Sequence, residues 1–409
     1  MHQLNYREQR GIEIATGANL ERKGKRWIVP SQNGKGRYSV WPDKDEPSCT
    51  CPDHEEGGHK CKHIWAVEYV LRRQVNRDGS MVVSEVVTFR PACQPTYPQN
   101  WKAYNAAQTG EKDQFLDLLH DLCSGVPEPQ RQKMGRPPLP IKDQLFSACF
   151  KVYSTVSARR FMSDLRAAHA KGYLSKTPHF NSVLNVLDDP DTTRVLQDLI
   201  TESSLPLSAI EIDFACDSSG FTASRFHRWY DHKYGAVNKQ HGWVKCHLMC
   251  GVRTNIVTAV EIRDKDASDT KLLPALVDTT AKNFKLNEVS ADKGYGSLKN
   301  FEAIANHGAV PYIAFKSIHT GRGGGLWAKM FHLFQYNREE FLRHYHKRSN
   351  VETTFSMIKA KFLDHVRSKT DVAMVNEVLC KIICHNLCVV IQEMHELGVN
   401  SDFWSKARY

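Results

Sequence analysis

Apolar positions follow one rhythm in the first half of the chain and another from about residue 205. Residues 1 to about 45 read as short strands and turns, and "KRWIVPSQNGKGRYSVW" holds two β-type runs around a Gly-rich turn, a hairpin pattern. A cluster of Cys and His at 49–63 follows, and then "HIWAVEYVLRRQ", with apolar residues at helical spacing. From about 91 to 138 the chain is rich in Pro, Gln and polar residues. The helix-like stretch "EKDQFLDLLHDL" lies inside it, so the segment reads as a linker carrying a helix. "IKDQLFSACFKVYSTVSARRFMSDLRAAHAKGY", "NSVLNVL" and "TTRVLQDLI" predict a small basic helical subdomain.

Beyond that point the pattern changes. "SAIEIDFACDSSGF" reads as a strand ending in a turn, and "GWVKCHLMCGVRTNIVTAVEI" as two strands joined by an Arg-Thr-Asn turn. "SDTKLLPALVDTTAKNF" and "SLKNFEAIANHG" read as helices, "LNEVSADKGYG" and "AVPYIAF" as strands, and the C-terminal part as helical. The order β-β-β-α-β-α-β predicts an α/β fold, a mixed sheet with helices on its faces.

Composition adds bounds. With 409 residues, 41% hydrophobic and 24% charged, the chain has the make-up of two or three globular domains. Its 55 basic and 45 acidic residues give a net charge of +10, which favours an anionic partner such as nucleic acid. The N-terminus has no apolar signal region, and no run of about 18 apolar residues predicts a membrane span. The twelve cysteines are therefore expected to be reduced thiols of a cytoplasmic protein, some of them bound to metal.

"SCTCPDHEEGGHKCKHIWAV" holds Cys49-x-Cys51, nine residues, then Cys61-x-His63. Two close pairs joined by a flexible loop suit the four thiolate or imidazole ligands of a closed, structural zinc site. His54 and His59 fall in the loop and read as solvated. The spacing resembles the SWIM zinc finger at all four ligand positions, and a helix follows His63 as in that family. The resemblance implies a module that binds DNA or protein.

Three carboxylates stand out: Asp217 in "CDSSGF", Asp292 in "SADKGYG" and Glu352 in "RSNVETTF". Two would sit at the ends of strands and one on a helix edge. Three such groups suit Mg²⁺ or Mn²⁺ with water and phosphate oxygens in the remaining positions. The set resembles the DDE transposases of bacterial insertion sequences, over about 205 to 395. "DSSGF" and "ADKGY" are similar to the blocks around that family's first and second Asp. Tyr345, Arg348, Glu352 and Lys359 match the spacing of its Y-(2)-R-(3)-E-(6)-K branch. The resemblance implies an RNase H-like catalytic domain in which Asp217, Asp292 and Glu352 hold the metals. It implies that Tyr345, Arg348 and Lys359 contact DNA. It also implies hydrolysis that frees a 3′-OH, transesterification into target DNA, a hairpin on the element's end, and a homodimer or higher oligomer. A non-catalytic DNA-binding protein and an RNase H-like nuclease without strand transfer are the alternatives. The expected domains are the zinc module at 1–88, a linker at 89–135, a helical, DNA-binding subdomain at 136–200 and the catalytic domain at 201–409.

Several positions have competing readings. Asp213 shares a strand face with Asp217 and rivals it for the first position. Asp264, Asp266 and Asp269 follow the third strand and read as a solvated turn and helix start. "SNVE" fits a capping box in which Ser349 caps the helix and Glu352 reaches back to its amide. If the stretch is helical throughout, Tyr345, Arg348, Glu352 and Lys359 fall within roughly 60° of one another, beside an apolar stripe of Val351, Phe355, Ile358 and Phe362. Gly135-Arg136-Pro137 resembles an AT-hook core, with Met134 where the hook usually has Arg, or else a plain linker. Cys380, Cys384 and Cys388 read as a buried stripe of small side chains. The Gly-rich 321–327 segment reads as a mobile insertion whose Trp327 either stacks on a base or packs.

Overall fold

The computed structural model describes residues 6–32, 36–43, 46–75, 81–85, 100–128, 138–223, 243–263 and 269–404. The chain divides into two compact units, residues 1–99 and 100–409. Gly135-Arg136-Pro137, Asp264 and Asp266 lie outside the described residues.

In the first unit, strands β1 (Glu21–Lys23), β2 (Arg26–Pro30), β3 (Arg37–Trp41) and β4 (Ser48–Cys49) form an antiparallel sheet in that order. The expected hairpin is β2–β3, with Trp27 opposite Val40. Trp27, Val29 and Val40 bury against Ile64 and Val67 of the Lys62–Val70 helix. Residues Tyr6–Gly17 form a helix where short strands and turns were expected. Gly11 lowers local helix propensity, but it lets this helix approach the Lys62–Val70 helix. A Cβ there would lie 2.5 Å from that of Trp65. The latter helix stops at Val70, short of the predicted stretch. Leu71–Val75 (β5) pairs with Met81–Glu85 (β6) instead, a partner that local periodicity does not reveal.

The second unit is built on a six-stranded sheet. Strands β7 (Asp213–Ala223), β8 (Trp243–Gly251) and β9 (Val257–Arg263) run antiparallel. β10 (Glu288–Ala291) and β11 (Val310–Ile313) add in parallel on the other side of β7, and β12 (His365–Val366) pairs parallel with the far end of β7. The order β11-β10-β7-β8-β9 is the expected mixed sheet. Asn255 takes φ 64° in the β8–β9 turn, a conformation that Asn tolerates well. Alternation along β7 sends Phe214 and Cys216 into one core, with Leu273, Phe301 and Phe341. Ala215 and Phe221 enter the other, with Ile358 and Ile383.

That second core corrects the expected domain boundaries. The Trp101–Ser124 helix is no linker: Phe115, Leu119 and Leu122 are fully buried in it. The helices Ile141–Tyr153, Phe180–Leu187 and Pro190–Ser204 share the same core with the sheet and the Asp371–Leu397 helix, so 136–200 does not stand apart as a subdomain. Their apolar faces are completed by the C-terminal helix together with the sheet and one another, which local patterning does not show. That helix is long and apolar enough to cross a membrane, but 89% of its apolar window is buried inside the protein. Asn386 on it pairs like a strand neighbour with the start of β9, accepting from Val257 N at 2.9 Å and donating to Val257 O at 2.8 Å. Cys380 and Cys384 are buried in this core, Cys380 with its Sγ 3.8 Å from that of Cys149.

Candidate functional site

The register of β7 opens a gap. β8 occupies one edge of β7 from Phe214 to Thr222. On the opposite edge β10 pairs only as far as Cys216, opposite Ala291, and β12 begins at Thr222. Asp217 is the first residue past the β10 pairing, and Asp292 is the first residue past the end of β10. The two carboxylates therefore stand at one level on neighbouring parallel strands. Lys381 of the core helix, 1% exposed, fixes the far end of the gap. It donates to Leu363 O at 2.9 Å and His365 O at 2.6 Å, where the chain turns into β12.

A nearly continuous helical segment borders this gap: Arg338–Tyr345, a 3-10 turn at His346–Arg348, and Ser349–Phe362. Val351, Phe355, Ile358 and Phe362 are buried, as the apolar stripe predicted. The capping-box reading of Glu352 does not hold. Ser349 is itself in helical conformation (φ −59°, ψ −21°), and its hydroxyl donates to His346 O at 2.9 Å. Glu352 turns instead to Arg348.

Arg348 ties the site together. Its Nη1 donates to Asp217 Oδ2 at 2.7 Å and its Nη2 to Glu352 Oε1 at 2.6 Å. Ser218 N donates to Asp217 Oδ1 at 2.7 Å, and Gly294 N to Asp292 Oδ2 at 3.3 Å. Burial pushes the Asp217 carboxyl above its ordinary value, and the charges of Asp292 and Glu352 push the same way. The Ser218 amide and Arg348 oppose them. Tyr345 stacks on Phe341 at 6.0 Å, and burial raises its phenol. Lys359 donates to Ser219 Oγ at 2.6 Å, on the same face of β7 as Asp217, and lies 5.4 Å from the centre of the Phe221 ring.

The rival Asp213 belongs to a different network. It accepts from Lys347 Nζ at 2.7 Å and from Asn287 Nδ2 at 2.8 Å. Lys347 also donates to Glu288 Oε2 at 2.8 Å, and His344 bridges Glu288 and Glu340 while stacking on Tyr312 at 4.5 Å. This network ties the 338–348 segment to the starts of β7 and β10. Sequence reading missed it, because Lys347 was visible only as part of a basic run. Asp269 opens a 3-10 turn, Asp269–Lys271. The 321–327 stretch is ordered as a 3-10 turn and the start of the Gly325–Tyr336 helix. Trp327 is buried against Phe301 and Phe315, and its Nε1 donates to Thr320 O at 2.7 Å, so it packs.

Asp217, Asp292 and Glu352 offer hard oxygen donors to one cleft, with Arg348 as counter-ion between two of them. Among the described residues they do not form a closed cage. Hard oxygen donors of this kind suit a divalent cation, which takes one or two carboxylates and completes its shell with water and phosphate.

The Cys/His cluster is closed by contrast. Cys49 ends β4, Cys51 precedes the short Pro52–Glu55 helix, and Cys61 and His63 sit at the start of the Lys62–Val70 helix. All four are buried, and their donor atoms lie within 4.8 Å of one another. His63 Nδ1 is 3.9 Å from Cys49 Sγ and 3.8 Å from Cys61 Sγ. Tetrahedral zinc at ordinary bond lengths places its ligands about 3.5–3.8 Å apart, so the residues fit zinc. His54, on the Pro52–Glu55 helix, and His59, in the loop after it, are not among the four ligands: His54 Nδ1 meets His59 O at 2.8 Å and His59 Nε2 meets Asp53 at 3.2 Å.

Two family models match the chain, one over each set of residues. Residues 210–387, which contain Asp217, Asp292 and Glu352, match the family model of the transposase DDE domain. Residues 38–72, which contain all four zinc-type ligands, match the family model of the SWIM zinc finger. No curated protein matches the chain.

Proposed function

We propose that the protein is a DNA transposase of an insertion element. In this reading it binds the element's ends, cuts a strand to free a 3′-OH and joins that hydroxyl to target DNA. The observation that supports this most is the meeting of Asp217, Asp292 and Glu352 at the gap beside β7, inside the DDE domain. Divalent ions bound there would supply the Lewis acidity that activates the attacking oxygen and steadies the leaving one.

The chain's own residues have separable roles. Asp217 and Asp292 are held on neighbouring strands, each with one oxygen engaged by a backbone amide, while the second oxygen of Asp217 accepts from Arg348. Glu352, with a side chain 60% exposed, joins from the helix. Arg348 balances Asp217 and Glu352 while no phosphate is bound, and its fork suits a phosphate when DNA arrives. Lys359 extends the positive edge along β7 toward β12. Tyr345 keeps its proton, because burial holds its phenol above the ordinary value. It offers that O–H as a donor to the DNA backbone. Lys347, anchored on Asp213 and Glu288, holds this row in register. The same reading makes the protein a cytoplasmic homodimer or higher oligomer acting on paired ends, with the hairpin step at this site.

A strand-transfer assay with terminal-repeat DNA and Mg²⁺ tests the proposal. Joined products that vanish in Asp217→Asn and Glu352→Gln support it. Cleavage without joining would make the protein a nuclease, and binding without cleavage would make it a DNA-binding protein only.

A further inference from the structure

The β1–β2 hairpin of the first unit carries four cations in five residues: Arg22, Lys23, Lys25 and Arg26, all exposed, around Gly24. The turn is tight. Lys23 pairs with Arg26, so the loop is only Gly24-Lys25, and Gly24 takes φ 66°, which a side chain would resist. Arg22 Nε donates to Gly24 O at 3.3 Å and braces the tip. Cross-strand pairing puts Lys23 and Arg26 on the sheet face that also carries Arg37. The carboxylate within these strands, Glu21, is engaged by Arg37 at 3.4 Å.

The opposite face is fixed firmly. Trp27 and Val29 on β2 enter the core that holds Cys49, Cys51 and Cys61. Holding the four ligands together thus also holds the base of the hairpin. The result is a two-stranded, positively charged ribbon packed by its core face against the zinc-type site. Such a ribbon suits the major groove of duplex DNA, about 12 Å wide, where flanking phosphates meet cations on either strand.

We infer that the β1–β2 hairpin, through Arg22, Lys23, Lys25 and Arg26, is a docking surface for the phosphate backbone of duplex DNA. This rests on the reading of the protein as one that acts on DNA, and it assigns the zinc unit a DNA-holding task separate from the cleft's chemistry. Contacts of this kind position the duplex without reading its sequence.

The test uses full-length protein carrying Asp217→Asn, in buffer without divalent ions and without chelator, so that zinc stays bound. Binding to a labelled random-sequence DNA duplex is measured over a sodium chloride series. With Arg22→Ala, Lys23→Ala, Lys25→Ala and Arg26→Ala combined, the slope of log K against log salt should flatten by about 3–4, and affinity at physiological salt should fall by at least about tenfold. Arg22→Lys with Arg26→Lys should keep the parent slope. Zinc content checks folding. If the quadruple variant loses zinc, Lys23→Gln with Lys25→Gln is read instead, with an expected flattening of about 2. A zinc-loaded variant with the parent slope overturns the inference, as does lost binding to an RNA duplex with DNA binding intact. Strand transfer by the parent is scored separately, so an unchanged slope leaves the catalytic reading standing, and absent strand transfer leaves the slope to decide the hairpin.

Discussion

The protein holds two sites built on opposite plans. The zinc-type site gathers soft donors that are all buried and mutually close, from a single short stretch between β4 and the next helix. The carboxylate cleft gathers hard donors from two strands and a distant helix, leaves Glu352 largely exposed, and places an arginine between two of its members. The first plan closes around an ion and holds a fold. The second stays open, with a charge that can yield to phosphate. Closure and donor softness, more than the number of donors, separate a structural site from one suited to chemistry.

The largest expected effect lies in the closed site. Cys61→Ser should unfold the first unit, because zinc binding worth roughly 10–16 kcal/mol in small fingers matches or exceeds the stability of an ordinary domain. Hydrogen exchange should show protection lost in residues 1–99 and kept in 100–409. Equal protection in both would break the contrast. In the open site the damage should fall on chemistry. Asp217→Asn or Glu352→Gln should lower strand transfer by about 10³-fold or more, with the melting temperature of the second unit unchanged or raised. Burial already disfavours the ionised form of Asp217. A large drop in melting temperature would mark these carboxylates as structural.

A smaller effect is expected at Lys347. Lys347→Met removes its bonds to Asp213 and Glu288, and should cost about 1–2 kcal/mol of stability and about tenfold in strand transfer. Lys347→Arg should restore most of the activity. Equal loss with Arg would show that charge at that position does not hold the register. The smallest effect is one of pH. Because the Asp217 pKa is raised, protons compete for it above the ordinary Asp range. Mn²⁺ affinity, followed by calorimetry, should weaken as pH falls, beginning above that range. Arg348→Gln removes a group that favours the ionised form and should move the onset to higher pH. A shift to lower pH would show that Arg348 does not act on Asp217.

What was legible in the sequence follows the same division. The zinc ligands could be read from spacing alone, because their geometry is local. The β-β-β-α-β-α-β order and the apolar stripe beside Glu352 were legible from periodicity. The choice of Asp217 over Asp213 rested on a motif. The structure adds a physical reason, since only Asp217 stands level with Asp292 past the β10 pairing. Glu352 looked like a cap because Ser349 precedes it, yet the helical segment had already begun upstream. The role of Lys347 was invisible, since its partners sit on β7 and on the start of β10. The Trp101–Ser124 helix looked like a linker because its buried face is completed by distant elements, the Ile141–Tyr153 and C-terminal helices.

The central claim is that Asp217 contacts the catalytic cation directly. The most direct test is strand transfer by Asp217→Cys in Mg²⁺ and in Mn²⁺, beside Asp213→Cys. A thiolate is a poor ligand for Mg²⁺ and a better one for Mn²⁺. The account predicts that Asp217→Cys is inactive in Mg²⁺ and partly restored in Mn²⁺, while Asp213→Cys shows no such metal preference. Full activity of Asp217→Cys in Mg²⁺, or Mn²⁺ rescue confined to Asp213→Cys, would contradict it.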